Sequence, residues 1–305
     1  QLMLKHTLLF LSERNDLKKV LFKLPFANQM SGRFVAGDTS EEALNVARQL
    51  NDSGFRVTLD LLGESVSDRA EAERAAAEYA ESLAEIDAHE AETTISLKLT
   101  QLGLDIDTDF CYHNLLGIVR RAEELGNFVR IDMEDSEHTQ TTLDVFYRVF
   151  EQYRNVGIVI QSYLHRSETD IERLVELGAS VRLCKGAYNE PASVAFQEKS
   201  EVDGNYVRLM KMLLDGGAPT AIASHDERMI DATLEHVSRN GIPDDAFEIQ
   251  MLYGVRRDYQ RKLVANGLNM RLYLPYGSQW YSYFMRRMAE RPANLLFVMR
   301  AAMGD

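Results

Sequence analysis

Short β-rich runs punctuate the chain, each with a polar or ionisable residue at or near its C-terminal end and each followed by a stretch with helical spacing. The runs fall at residues 57–63, 94–99, 128–133, 157–163, 180–185, 220–225, 247–252 and 269–274. The intervening stretches carry apolar residues at a 3.6-residue period. They stop at glycines, as in Ile171 to Leu177 before Gly178, in Leu125-Gly126 and in Ala265-Asn266-Gly267. Glycine tolerates the left-handed conformation that closes a helix. Strands alternating with helices imply parallel β-α-β units, and eight in succession favour a closed (β/α)8 barrel over an open sheet. The regular spacing leaves no domain boundary after about residue 50. The expected organisation is an N-terminal helical segment over residues 1–50, packed on a single α/β barrel over residues 51–305.

Two other segments add to this picture. Residues 67–92 are rich in alanine and acid, and read as one solvated amphipathic helix with Ala75, Ala76 and Tyr79 turned inward. Residues 1–30 are cationic, with five basic residues against Glu13 and Asp16, and Leu4, Leu8, Leu11, Leu17, Leu21 and Leu24 can share an apolar face. Packing on the barrel is the plainer use of that face, and contact with a membrane surface is the alternative.

Composition narrows the class. The chain has 305 residues, 45% hydrophobic and 27% charged, which is enough apolar material for a large core. Its 34 basic and 47 acidic residues give a net charge of −13, against the cationic footprint that nucleic-acid binding needs. No run approaches the ~18 apolar residues that span a bilayer. The two cysteines, Cys111 and Cys184, are far apart, so no disulfide framework or structural zinc site is expected. A cytoplasmic protein fits these features.

In a barrel of this kind the C-terminal strand ends converge on one mouth, where active sites are built. The ends deliver Glu64, Lys98, Asp132, Gln161, Arg182, Lys185, His225 and Tyr273. Loops are polar in any protein, which accounts for some of these. It accounts less well for Lys98, Asp132 and Arg182, which sit in apolar text where a charge is partly desolvated and needs a partner or ligand. Near the C-terminus, Tyr283, Arg286, Arg287 and Glu290 fall at i, i+3, i+4 and i+7 on one helical face. Two guanidiniums beside an aromatic ring suit forked recognition of a carboxylate. The plainer reading is a surface pair between Arg286 and Glu290. No GxGxxG, GxxxxGK[ST], HExxH or GxSxG motif is present, so no dinucleotide, P-loop, metal or serine-hydrolase site is signalled. Lys98 or Lys185 as a Schiff-base lysine of a barrel aldolase stays open.

The texts Val181-Arg182-Leu183-Cys184-Lys185-Gly186-Ala187-Tyr188, Leu272-Tyr273-Leu274-Pro275-Tyr276-Gly277 and Tyr283-Phe284-Met285-Arg286-Arg287-Met288-Ala289-Glu290 together resemble the proline dehydrogenase family. Leu61-Leu62-Gly63-Glu64, Ser96-Leu97-Lys98-Leu99 and Ile131-Asp132-Met133-Glu134 resemble it in the same order, and the match runs from about Arg33 to the end. The size is that of a monofunctional bacterial member.

The resemblance implies a distorted (β/α)8 barrel with its final helix over the mouth. It also implies FAD-dependent oxidation of L-proline to Δ1-pyrroline-5-carboxylate, with a quinone as electron acceptor. By motif, Arg286 and Arg287 clamp the proline carboxylate with Lys98 nearby, while Tyr273, Tyr283 and Leu252 wall the ring. Asp132 supports this group, and Glu64 is the acidic gate. Arg182 is expected near the reactive edge of the flavin. Gln161, Lys185, Gly186, Ala187, Lys199, His225 and Glu290 are expected to contact its ring, ribityl or phosphate portions. A quinone acceptor gives the cationic N-terminal end a role at the bilayer. A non-catalytic proline sensor is the third reading, beside the oxidase and the aldolase.

Overall fold

Eight parallel strands close in chain order into a barrel: β1 (Arg56–Leu61), β2 (Thr93–Leu97), β3 (Val129–Ile131), β4 (Val156–Gln161), β5 (Ser180–Cys184), β6 (Thr220–Ala223), β7 (Phe247–Leu252) and β8 (Met270–Tyr276). β1 pairs with both β2 and β8, which completes the ring. The helices are α1 (Ser40–Asp52), α2 (Arg69–Ala88), α3 (Thr108–Glu124), α4 (Ser136–Phe150), α5 (Ser167–Glu176), α6 (Lys199–Asp215), α7 (Glu227–Asn240) and α8 (Arg257–Ala265). The structure is a computed structural model that describes residues 33–63 and 66–280.

The barrel and its alternation match the sequence expectation, with local differences. Several strands stop before the run read for them, so Lys98, Asp132, Lys185 and His225 stand just beyond the last strand residue, whereas β8 continues to Tyr276. Residues 35–39, expected to be helical, are not. Ala36 N donates to Pro275 O and Gly277 N to Gly37 O, so this segment lies along the end of β8. The acidic stretch forms α2, with Ala75 and Tyr79 buried and Ala76 partly so. Gly126, Gly178 and Gly267 all take positive φ after their helices, as expected. Among the described residues no helix is long and apolar enough to cross a membrane.

The strand register explains where the core sits. Val57, Leu59, Ile95, Leu97, Val129, Ile131, Ile158, Val181, Leu183, Ile222, Ile249 and Leu272 lie on one face of the sheet and are fully buried in a single apolar cluster with residues of the helices. The other face carries Thr58, Asp60, Ser96, Arg130, Arg182, Gln250, Arg271 and Tyr273, in register with one another around the ring. The apolar shell is therefore outside the cylinder and the polar set is inside it. Barrel interiors are more often filled by branched aliphatic residues. A polar lumen forces each charge to find a partner in a poorly solvated space. On the outside, Asp68, Asp107, Asp135 and Asp226 cap α2, α3, α4 and α7 by accepting backbone N–H bonds. Each such cap contributes about 1 kcal/mol and fixes where a mouth loop ends.

Candidate active site

At the C-terminal end of the cylinder the inward residues of five strands meet. Lys98, immediately after β2, donates from Nζ to Oδ1 of Asp60 in β1 at 2.8 Å and lies 3.8 Å from Oδ2 of Asp132, which follows β3. Arg182 in β5 donates from Nη1 to Asp132 Oδ1 at 2.7 Å and to Ser96 Oγ at 3.1 Å. Ser96 Oγ and Tyr273 Oη donate to the two oxygens of Asp132, at 2.8 and 2.6 Å. The Arg182 guanidinium also lies 5.3 Å from the centre of the Tyr273 ring.

Two carboxylates and two cations thus balance in a nearly dry space: Asp60 is 0% exposed, Lys98 3% and Arg182 5%. Removing one member of such a group strands a buried charge, at a cost of about 3–5 kcal/mol. The two acids are also pushed apart. Burial raises the pKa of Asp60 despite its bond to Lys98. Burial acts in the same direction on Asp132, but Arg182, Lys98 and the Tyr273 hydroxyl together hold it below the ordinary carboxylate value. Divergent environments for paired titratable groups are a signature of functional sites.

A second cluster borders the mouth on the β5 and β6 side. Lys185 Nζ reaches Asp203 at 2.5 Å and Asp226 at 2.8 Å, and Lys199 Nζ reaches the same acids at 2.5 and 3.3 Å. Arg228 completes it at 2.7 Å from Asp203 and 2.9 Å from Asp226. Three cations therefore share two carboxylates, leaving one positive charge in excess. The Asp226 carboxyl is held far below its usual range, chiefly by the Arg228 hydrogen bond, against some burial and with help from Lys185 and Lys199.

Around these clusters stand the other residues expected at the site. Gln161, at the end of β4, donates its amide to Met133 O and Glu134 O, and its Oε1 is buried with no hydrogen-bond partner among the described residues. Burial, with Arg256 nearby, pushes His225 down to about 4, and its Nε2 accepts from Leu252 N at 3.4 Å. A neutral imidazole is the form present near pH 7. Leu252 is 38% exposed, an unusual position for a large aliphatic side chain at the end of a barrel strand. Gly186 has φ +104°, and a Cβ there would sit 2.2 Å from the Tyr163 ring, so the loop carrying Gly186 and Ala187 runs tight against that aromatic.

The structure gathers Lys98, Asp132, Arg182 and Tyr273 into one network and Lys185 with Lys199 into another, and sets His225 beside Leu252. Glu64, Tyr283, Arg286, Arg287 and Glu290 lie outside the described residues. Sequence reasoning missed Asp60, Ser96, Asp203, Asp226 and Arg228. Asp60 carried the same signal as Lys98, a charge within apolar strand text, and Asp203 stands one helical turn after Lys199.

Comparison with known proteins supplies the context. The sequence profile described as proline dehydrogenase matches residues 43–300. Proline dehydrogenase 2 of Bacillus subtilis (strain 168) is 44% identical over 292 residues, covering 96% of each chain. Proline dehydrogenase of Deinococcus radiodurans is 41% identical over 276 residues, 89% of each. Among solved structures, proline utilization A (PutA) from Bdellovibrio bacteriovorus, inactivated by N-propargylglycine, superposes with a TM-score of 0.79 and 28% identity over 85% of this chain. The chain spans about a third of that PutA chain, 32% of its length.

Proposed function

The chain belongs to the proline dehydrogenase family, and from that premise we propose that it oxidises L-proline to Δ1-pyrroline-5-carboxylate at the C-terminal mouth of the barrel, using FAD and passing electrons to a quinone. This is the first step of proline breakdown toward glutamate. The observation that carries the reading is the charge-balanced group of Asp60, Lys98, Asp132 and Arg182 with Tyr273, desolvated at the place where barrel enzymes build their sites.

The residues present fit a flavin. Gln161 Oε1 offers a buried acceptor without a partner among the described residues, suited to a ring N–H. Lys185, Lys199 and Arg228 hold an excess positive charge suited to phosphates. His225, Gly186, Ala187 and, beyond the described residues, Glu290 would complete the contacts. Once bound, FAD supplies the two-electron acceptor that no amino-acid side chain provides.

The chain's own part is positioning and electrostatics. Lys98 supplies a cation for the proline carboxylate, alongside Arg286 and Arg287. Tyr273, Leu252 and Tyr283 wall the pyrrolidine ring and exclude water. Asp132 fixes two of these parts at once, since its carboxylate holds the Arg182 Nη1 and the Tyr273 hydroxyl. Because Asp132 stays ionised, the Tyr273 proton points to it and the ring is locked in orientation. Arg182 would set a fixed positive charge beside the bound cofactor, the kind of preorganised electrostatic contribution that lowers a barrier most. Glu64 is assigned the gate.

Two observations count against a Schiff-base aldolase. Such a lysine must attack as a neutral amine. Lys98 donates to Asp60 and Lys185 to Asp203 and Asp226, so each amine nitrogen is engaged with carboxylates rather than free to attack a carbonyl. The proposed setting is the cytoplasm, with the cationic N-terminal segment meeting the membrane that holds the quinone.

The visible spectrum tests the reading. The purified protein should be yellow, or become so with FAD, and its flavin bands should bleach when L-proline is added without oxygen. A protein that takes up no FAD, or whose bound flavin L-proline leaves oxidised, would overturn it; binding of proline without reduction would favour the sensor.

A further inference from the structure

The opposite end of the cylinder is also built with charge. The N-terminal ends of the strands enclose a cavity of about 210 Å³. Arg56 lies at its rim, with Arg130 and Arg271 further in, and Glu248 among them. Glu248 is matched by Arg271, Nε to Oε1 at 2.8 Å, and by Arg56 at 3.9 Å. Arg130 has no carboxylate within 4.0 Å among the described residues. Its Nη1 donates to Ile158 O at 3.0 Å and Ser180 O at 2.7 Å, and its Nη2 to Ser180 Oγ at 2.8 Å.

Arg56 also lies 4.0 Å from Glu92 at the surface and Asp245 stands at the exposed edge, so of the three guanidiniums it is the innermost, Arg130, that meets only neutral acceptors. Arg130 is 5% exposed, and burial together with Arg182 and Arg271 pushes it down to about 9. A buried cation of this kind is costly unless an anion joins it. Two more polar atoms of the lining are unmet among the described residues: Nε of Arg182, which can only donate, and Oε1 of Gln250, which can only accept. Both residues are more than nine-tenths buried, at 5% and 4% exposed. The N-terminal face of a barrel ordinarily serves stability alone, and a stable arrangement does not need a buried guanidinium without a carboxylate beside two unmet polar atoms.

We propose that this lower cavity is a binding site for a small oxyanion that carries a proton, of the hydrogenphosphate class. The forked guanidiniums suit oxyanion oxygens. Arg182 Nε adds a donor, and the ligand's own O–H answers Gln250 Oε1. A bare sulfate or a chloride leaves that acceptor unmet, which is the basis of selectivity. The cavity admits an ion of this size and is too small for a nucleotide. Arg182 also belongs to the mouth through Asp132, so occupancy below and charge arrangement above are linked, and such linkage is reciprocal.

Thermal unfolding of the full chain tests this at pH 7, with phosphate, sulfate and chloride compared at matched ionic strength. Phosphate should give a saturable rise in Tm, about 3–4 °C at twenty times its Kd. Arg130→Met should abolish the rise. Arg56→Ala, at a side chain 46% exposed with ion pairs no closer than 3.9 Å, should fold normally and raise the half-saturating phosphate concentration about tenfold. If Arg130→Met fails to fold, Arg56→Ala decides. Equal effects from all three salts, no saturation, or an Arg56→Ala response like that of the parent would overturn the proposal. The readout is stability, so failure here leaves the redox reading untouched.

Discussion

Replacing Lys98 with Met probes the buried charge balance directly. Lys98 is the partner that answers Asp60, 2.8 Å away and 0% exposed. The substitution keeps the side-chain length and apolar stem but leaves the Asp60 carboxylate stranded, at a cost of about 3–5 kcal/mol near neutral pH. At roughly 2 °C per kcal/mol for a chain of this size, Tm should fall by about 6–10 °C. The sign of the pH dependence follows from the direction of the Asp60 shift. An acid whose pKa is raised by folding is bound to its proton more tightly in the native state, so it lowers stability as pH climbs through the folded pKa. Losing Lys98 raises that pKa further. The penalty should therefore be full at pH 8 and shrink as pH falls and Asp60 takes up a proton. Adding Asp60→Asn to Lys98→Met should recover most of the loss, since no stranded charge remains. Thermal or urea unfolding of parent, single and double variants from pH 5 to 8, at equal flavin content, gives all three numbers. A loss within about 0.5 kcal/mol, typical of surface substitutions, or a double variant no better than the single, would refute the reasoning.

Two further outcomes follow from other parts of the chain. Arg287→Met should raise the proline KM by roughly 10- to 150-fold, from the loss of about 1.5–3 kcal/mol of charged hydrogen bonding, with flavin content unchanged; unaltered proline kinetics would remove Arg287 from the carboxylate clamp. His138 ties two mouth loops together, Nε2 to Asp105 at 2.7 Å and Nδ1 to Asp135 at 2.6 Å. Partial burial opposes its charging, but these two carboxylates raise it to about 9. Its contribution is therefore complete below about pH 6.5 and vanishes as pH rises through 9, and a His138→Gln variant should lose that portion of the parent's stability profile in unfolding measured from pH 6 to 10.

The barrel was legible because the eight strand runs and the glycine stops report backbone periodicity, which is local. The exact strand ends were less so. Lys98, Asp132 and Lys185 follow their strands without any break in the text, and only the ladder bonds, which depend on the neighbouring strand, decide where pairing stops. Arg182 and Asp132 stood out because a charge in apolar surroundings needs a partner. Asp60 gave that signal too, yet its meaning depends on Lys98, 38 positions away. Beyond the one-turn spacing of Lys199 and Asp203, the group of Asp203, Asp226 and Arg228 was not legible. These residues come from two helices and a loop, where charge is ordinary, and only the closed ring brings them to one place. The lower arginines were hidden for the same reason: Arg130 and Arg271 open their strands and resemble solvent-facing ends in the linear text.

The inverted cylinder, greasy outside and ionic within, bears on how the chain settles its alignment during folding. A strand displaced by two positions still shows its oily side to the helices, so water-avoidance cannot detect the mistake. Electrostatics can. Shifting β2 by two places would part Lys98 from Asp60 and set unlike neighbours against each other along the axis, where little solvent is present to mask the mismatch. The inner charges thus act as a checksum on strand alignment, and neutralising them wholesale should yield chains that collapse readily yet fail to agree on a single arrangement.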